Sequence, residues 1–178
     1  IMGGGSFRLI WNYIHDNTIG VDLNASICCG GAGYIVRNLI TDNTGDGILG
    51  GDQLGPSYIV ENTIDGNGGD GIDFGATAGR GHTVVGNQIS NNTLFGIRCD
   101  VSVPASCTYR PNLGLIAFNN FFNNTSGARQ NFLTGDSEST ENPLYVDRPN
   151  KNFCVGNLTT QGGPPGVGQN FPGSLTQS

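Results

Sequence analysis

Charged residues are scarce in this chain, and lysine is almost absent. Asp, Glu, Lys and Arg make up 12% of the 178 residues, against roughly 25% in an average domain. Lys151 is the only lysine, and the formal net charge is −6. Nucleic-acid binding needs a cationic surface that displaces counterions from phosphates. The sequence therefore predicts no nucleic-acid partner and favours partners that are neutral, cationic or bridged by a metal.

Long apolar runs and helical periodicity are also missing. No stretch approaches the roughly 18 consecutive apolar residues of a membrane-spanning helix, so we predict no membrane span. Glycine is abundant, with 30 residues, but no Gly-X-Y period occurs that would indicate collagen. Many glycines together with β-branched residues throughout indicate one β domain rich in tight turns.

An internal repeat of about 25 residues organises the chain between residues 8 and 134. Two asparagine columns define the repeat, and both show successive spacings of 26, 24, 25 and 32 residues. The first column contains Asn12, Asn38, Asn62, Asn87 and Asn119, and the second contains Asn17, Asn43, Asn67, Asn92 and Asn124. Two apolar columns keep the same period: Ile14, Ile40, Ile64, Ile89 and Phe121, then Val21, Ile48, Ile72 and Ile97. The longer last interval places an enlarged loop at residues 100–114.

A solenoid explains these columns, because hairpins do not keep equivalent residues in register every 25 residues, whereas coils of three short strands do. We predict an all-β, right-handed parallel β-helix of about five coils over residues 1–134. We expect each Asn of the first column to lie at a corner, in the left-handed backbone region, and to hydrogen-bond into a ladder. The Pro- and Gly-rich residues 135–178 are predicted to dock on or cap the last coil.

The segments GNGGDGIDFG and GNQISNNTLFGI resemble the repeats of right-handed parallel β-helix proteins. Pectate lyases, polygalacturonases, alginate epimerases and lyases, and phage tailspikes share this scaffold. The resemblance implies an extracellular, cell-surface or virion-surface location, and a substrate groove along one outer face in carbohydrate-active members. Only Asn43-Thr44-Gly45 and Gly81-His82-Thr83 approach polygalacturonase motifs, and the Asp-Pro-His run of alginate epimerases is missing. The scaffold alone does not indicate an activity.

One outer face gathers charged candidates, because strand alternation places one residue per coil on it: Asp22, Leu49, Asp73 and Arg98. Carboxylates can act as acid and base in glycoside hydrolysis, and an Arg can bind a uronate. The candidate catalytic residues are therefore Asp73, Arg98 and Asp22. Polar residues on a solvated sheet face are the simpler explanation, and that alternative stays open.

Residues beside this face are candidates for binding. The candidate substrate-binding residues are Asp100, Arg80 and His82. Stacked carboxylates at the preceding turn, Asp46 and Asp70, form a candidate metal site for Ca²⁺, with no required cofactor and ordinary Asp-Gly turns as the alternative. Cys99 and Cys107 are spaced to close the loop between them as a disulfide, although buried free thiols are an alternative.

Three functions remain open from the sequence. The leading hypothesis is a secreted or surface module, cut from a larger protein, that recognises a polysaccharide or glycan surface. The second is a polysaccharide lyase, glycoside hydrolase or epimerase acting on an acidic polysaccharide. The third is a structural unit of a phage tail or surface fibre, in which open coil ends pair into a homo-oligomer or a larger parent assembly.

Overall fold

The computed structural model describes residues 6–23, 32–50, 56–75, 81–99, 115–132 and 134–155. Within these ranges three parallel sheets of five strands each run along the molecule. The first sheet contains β1 (Phe7–Ile10), β4 (Gly33–Val36), β7 (Ser57–Val60), β10 (Thr83–Val85) and β13 (Ile116–Ala117). The second contains β2 (Tyr13–His15), β5 (Leu39–Thr41), β8 (Thr63–Asp65), β11 (Gln88–Ser90) and β14 (Asn120–Phe122). The third contains β3 (Val21–Asp22), β6 (Ile48–Leu49), β9 (Ile72–Asp73), β12 (Phe95–Arg98) and β15 (Gly127–Gln130).

This architecture confirms the predicted right-handed parallel β-helix of five coils. Each strand pairs in parallel with its counterpart one coil away, so equivalent residues stack about 4.8 Å apart. In the second sheet the register joins Ile14 to Ile40, Ile40 to Ile64, Ile64 to Ile89 and Ile89 to Phe121. These residues and the column from Val21 to Ile97 are buried together as one continuous apolar core.

Both asparagine columns form ladders inside the corners. The Asn38 Nδ2 donates to Asn62 Oδ1 at 3.0 Å, and the Asn62 Nδ2 donates to Asn87 Oδ1 at 3.0 Å. The backbone N–H of Asn38 also donates to Asn62 Oδ1 at 2.8 Å. The second column repeats the pattern, since the Asn43 Nδ2 donates to Asn67 Oδ1 at 2.8 Å. Every ladder bond therefore has the same direction, from one coil to the next.

The predicted left-handed conformation of the ladder asparagines is wrong. Positive φ angles occur one residue earlier in each coil: Trp11, Arg37, Glu61, Gly86 and Phe118, with values from 54° to 67°. The residue before each Asn makes the left-handed turn, so that the Asn side chain can point inward and accept the N–H of its neighbour. A large side chain at the turn position then projects into solvent, as the exposed Trp11 and Phe118 do.

The chain after the fifth coil runs back across the outer face of the second sheet. Asp136 and Ser139 form parallel bridges to Ala117 and Asn120 of the last coil. Strands β16 (Tyr145–Asp147) and β17 (Asn152–Val155) then form an antiparallel pair, joined by a single 3-10 turn over Arg148–Asn150. We call residues 134–155 the C-terminal segment. Residues 156–178 lie outside the described ranges.

Successive contacts of the C-terminal segment step backwards along the coils. The Asn120 Nδ2 donates to the Glu141 carbonyl in the fifth coil at 2.7 Å. Tyr145 Oη lies 2.9 Å from Ser90 Oγ in the fourth coil, and Arg148 Nε donates to Asp65 in the third at 2.5 Å. Lys151 pairs with Asp42 in the second coil. Outward side chains of the second sheet in the third to fifth coils, such as Asp65, Ser90 and Asn120, are consequently buried.

Candidate functional site

The third sheet carries the predicted outer row in register. Its Cα partners join Asp22 to Leu49, Leu49 to Asp73, and Asp73 to Arg98. Gln130 of β15 continues the row beside Arg98, and the sequence interpretation missed it. Aligning GARQ in the fifth unit with FGIR in the fourth would have found it. The surface formed by Asp22, Leu49, Asp73, Arg98 and Gln130 is called the third-sheet row below.

Arg98 connects this row to a buried carboxylate. Its Nη1 donates to Asp70 Oδ2 at 3.3 Å and lies 3.9 Å from Asp73 Oδ2. The Asp70 side chain is fully buried, whereas the Arg98 side chain is 33% exposed. Asp70 therefore anchors the guanidinium from below, and Asp73 flanks it on the outer face. Of these three residues, Asp70 is too buried to meet a ligand.

Asp46 and Asp70 stack on adjacent coils, as the sequence predicts, but both serve the backbone. Asp46 Oδ1 accepts the N–H of Asp70 at 2.7 Å, and Asp70 Oδ1 accepts the N–H of Phe95 at 2.7 Å. Burial raises the pKa of the Asp46 carboxyl and of the Asp70 carboxyl, although these backbone hydrogen bonds oppose the rise. Like the ladder asparagines, each of these aspartates accepts a backbone N–H from an adjacent coil.

A Ca²⁺ site at this pair is not supported. Calcium takes six to eight oxygen ligands, and each of these carboxylates already has one oxygen bonded to a backbone amide. Across the described ranges no group of three or more His, Cys, Asp or Glu side chains is placed to hold a metal ion.

Of the remaining candidates only His82 is described, and it does not join the third-sheet row. His82 is buried, with its ring stacked on Phe74 at 4.4 Å and its Nδ1 accepting the N–H of Ser57 at 3.2 Å. It is an interior residue, so its expected place beside the outer face is wrong. Arg80 and Asp100 lie outside the described residues. Cys99 is disulfide-bonded, and its expected partner, Cys107, also lies outside them.

Comparison with known proteins gives one family. The family model described as "NosD: Periplasmic copper-binding protein (NosD)" matches residues 1–159. No curated protein and no solved structure matches the chain. In the part of the chain that the structure describes, no helix has the length and hydropathy of a membrane span.

The copper in the family's description can be tested against the donors of this chain. Copper sites are built from thiolate, thioether and imidazole groups. Among the described residues these donors are His15, His82, Cys99 and Cys154, of which His82 is buried in the core and Cys99 is disulfide-bonded. His15 Nδ1 is 2.6 Å from Asp16 Oδ2, and no described donors cluster. The described residues therefore do not fit a copper site.

The matched segment contains all five coils and the whole C-terminal segment. The family consists of right-handed parallel β-helix proteins, in agreement with the three parallel sheets. The finer resemblance to pectate lyases, epimerases and tailspikes stays a prediction. Because the match covers far more than half of the chain, this protein belongs to the NosD family of periplasmic β-helix proteins.

Proposed function

We propose that this protein is a carbohydrate-binding β-solenoid that acts outside the cytoplasm, with the third-sheet row as its binding surface. The observation that carries the proposal is the in-register alignment of the row over five coils. The periplasmic description of the family supports the location.

The chemistry of the row suits sugar hydroxyls, which both donate and accept hydrogen bonds. Asp22 and Asp73 supply acceptors, Arg98 supplies donors, and the Gln130 amide supplies both. Parallel strands hold these groups about 4.8 Å apart along the coil axis. Groups on rigid strands lose little conformational freedom when a ligand binds, which favours affinity.

Charge narrows the class of carbohydrate. Asp22 and Asp73 are the acidic groups of the row and Arg98 is its one described cation, which is already paired with the buried Asp70. Such a surface repels a polyanion. The proposed ligand is therefore a neutral or amino-substituted glycan, and an acidic polysaccharide is disfavoured.

Glycan-array binding followed by titration calorimetry tests the proposal. We expect Arg98→Gln to weaken binding of the selected glycan at least tenfold, because it removes the charged donor of the row. Arg37→Gln is the matched control, since Arg37 is exposed on another corner and pairs with Glu61 at 2.5 Å. Circular dichroism checks that both variants fold.

Three results would count against the proposal. A wild-type protein that binds no glycan contradicts it outright, and equal weakening by both variants places binding elsewhere. Release of reducing ends or unsaturated uronates would replace simple binding with the hydrolase or lyase activity that the sequence left open.

A further inference from the structure

The outer face of the second sheet is densely polar and is buried at β8, β11 and the start of β14. Its outward side chains include Thr63, Asp65, Gln88, Ser90 and Asn120, and none is more than 5% exposed. Polar groups are usually buried only when they are hydrogen-bonded, because desolvation otherwise costs free energy. The C-terminal segment covers this face through contacts with Asn120, Ser90 and Asp65.

Gln88 breaks the rule that buried polar groups are paired. It is fully buried, and neither its Nε2 nor its Oε1 has a hydrogen-bond partner. Its neighbours on adjacent coils are Thr63 and Asn120. Asn120 is occupied by the segment, because its Nδ2 donates to the Glu141 carbonyl and its Oδ1 accepts from Ser139 Oγ at 2.8 Å. The Gln88 carboxamide thus offers two donors and an acceptor next to Ser90 and Asn120, both of which contact the segment.

The segment above Gln88 is held by contacts that a polar ligand can replace. They are the Tyr145–Ser90 hydroxyl pair, the Arg148–Asp65 ion pair and the Lys151–Asp42 ion pair. Ser137, Leu144 and Lys151 have φ angles of 51°, 49° and 63°, a left-handed conformation that is unfavourable for residues with side chains. Beyond the backbone bridges at Asp136 and Ser139, the segment is attached to the second sheet through polar side chains, and a chain with few apolar contacts to the core opens most easily.

We propose that the second-sheet face beneath the C-terminal segment is a second binding site, for a hydroxyl-rich ligand of mono- or disaccharide size. Gln88 is its central hydrogen-bonding residue, and the C-terminal segment is its lid. The carboxamide N–H can donate to one sugar hydroxyl while the carboxamide oxygen accepts from an adjacent hydroxyl. The ligand is small because the lid continues directly from the fifth coil and reaches back to the second. Only the ligand class rests on the proposed function, since this site lies on a different sheet.

Thermal shift with neutral mono- and disaccharides at millimolar concentration tests the site. We expect at least one sugar to raise the Tm of the wild-type protein by about 5 °C near saturation. Gln88→Leu is the critical variant, because Leu fills a similar volume without polar atoms. Its sugar-free Tm should rise by about 3 °C, and its sugar-induced shift should disappear. Arg37→Gln, on an exposed corner outside both surfaces, should keep the shift, and Asp73→Asn reports separately on the third-sheet row.

The outcomes separate the two proposals. A sugar shift lost in Gln88→Leu and kept in Arg37→Gln supports the covered site. A shift lost only in Asp73→Asn locates binding on the third-sheet row, so that proposal stands and this one falls. If no sugar shifts the wild-type protein more than the folded Gln88→Leu variant, Gln88 bonds only to ordered water and the site is refuted.

Discussion

The asparagine columns and the C-terminal segment satisfy buried polar groups in opposite ways. In the columns one arrangement recurs in every coil, so each Asn both supports and is supported by its neighbours. In the segment each contact occurs once, as with Tyr145 on Ser90 and Arg148 on Asp65. A repeated contact couples the coils along the whole stack, whereas a single contact holds only its own piece of chain.

The largest effect is expected from breaking a ladder at its centre. Asn62→Leu removes the bonds to Asn87 Oδ1 and the Ile35 carbonyl, and leaves the buried Asn38 N–H without its acceptor. We expect the free energy of unfolding to fall by about 4 kcal/mol. Urea denaturation followed by circular dichroism measures the loss.

Asn17→Leu is the matched control for that variant, because Asn17 is exposed and stands in the first coil. Its cost should be about 1 kcal/mol, since water can replace the lost bonds. Equal losses in the two variants would contradict the coupling of the coils.

A smaller and more local effect is expected from the C-terminal segment. Arg148→Gln leaves Asp65, which is almost fully buried, without its cationic partner. The cost should be about 2 kcal/mol, below the range for fully buried pairs because Arg148 is partly exposed. Hydrogen exchange should accelerate in Tyr145–Asp147 and Asn152–Val155 and stay unchanged in the first-sheet strands.

Lys151→Gln is the control within the same segment. Both Lys151 and Asp42 are partly exposed, and surface pairs contribute about 0–1 kcal/mol. If faster exchange spreads to all three sheets in Arg148→Gln, the segment is part of the cooperative core and the contrast with the ladders is lost.

The smallest effect concerns pH and the stacked aspartates. Burial raises the pKa of Asp70 above its ordinary value of 3.8, so the folded protein retains a proton that the unfolded chain has released. The free energy of unfolding should therefore fall as pH rises from about 3.8 through the raised folded value. Asp70→Asn removes this titration and should flatten the plot of unfolding free energy against pH. The expected difference from wild type is less than about 1 kcal/mol.

Urea midpoints measured from pH 3 to pH 7 test the difference, and Asp46→Asn should act in the same direction because burial also raises the pKa of Asp46. Curves that run parallel for wild type and both variants would refute the assignment.

The same contrast explains which structural features could be predicted from the sequence. Asn62 and Ile64 were predictable because equivalent residues recur in every unit, and the row from Asp22 to Arg98 followed from strand alternation. The left-handed turn was assigned to Asn rather than to its predecessor, because residues as different as Trp11 and Glu61 share that position and leave no pattern.

Contacts that occur only once in the molecule could not be predicted from the sequence repeat. The Arg148–Asp65 pair joins residues 83 positions apart and has no equivalent in another unit. Gln88 is an ordinary polar residue in the sequence, and only the C-terminal segment above it makes its burial unusual. Gln130 was missed because the fifth unit matches the others least well.

The equivalent bonding of successive ladder asparagines has a consequence for how such a chain can change length. Asn38 and Asn62 are 24 residues apart and make equivalent bonds to their neighbours. Removing or duplicating that block would still place an Asn at the ladder position and an Ile at the buried position of the neighbouring coil. The altered chain therefore keeps the same geometry at the new junction. Gene duplications of this size therefore resize the molecule by one layer at a time, and each added layer extends its outer surface by about 4.8 Å.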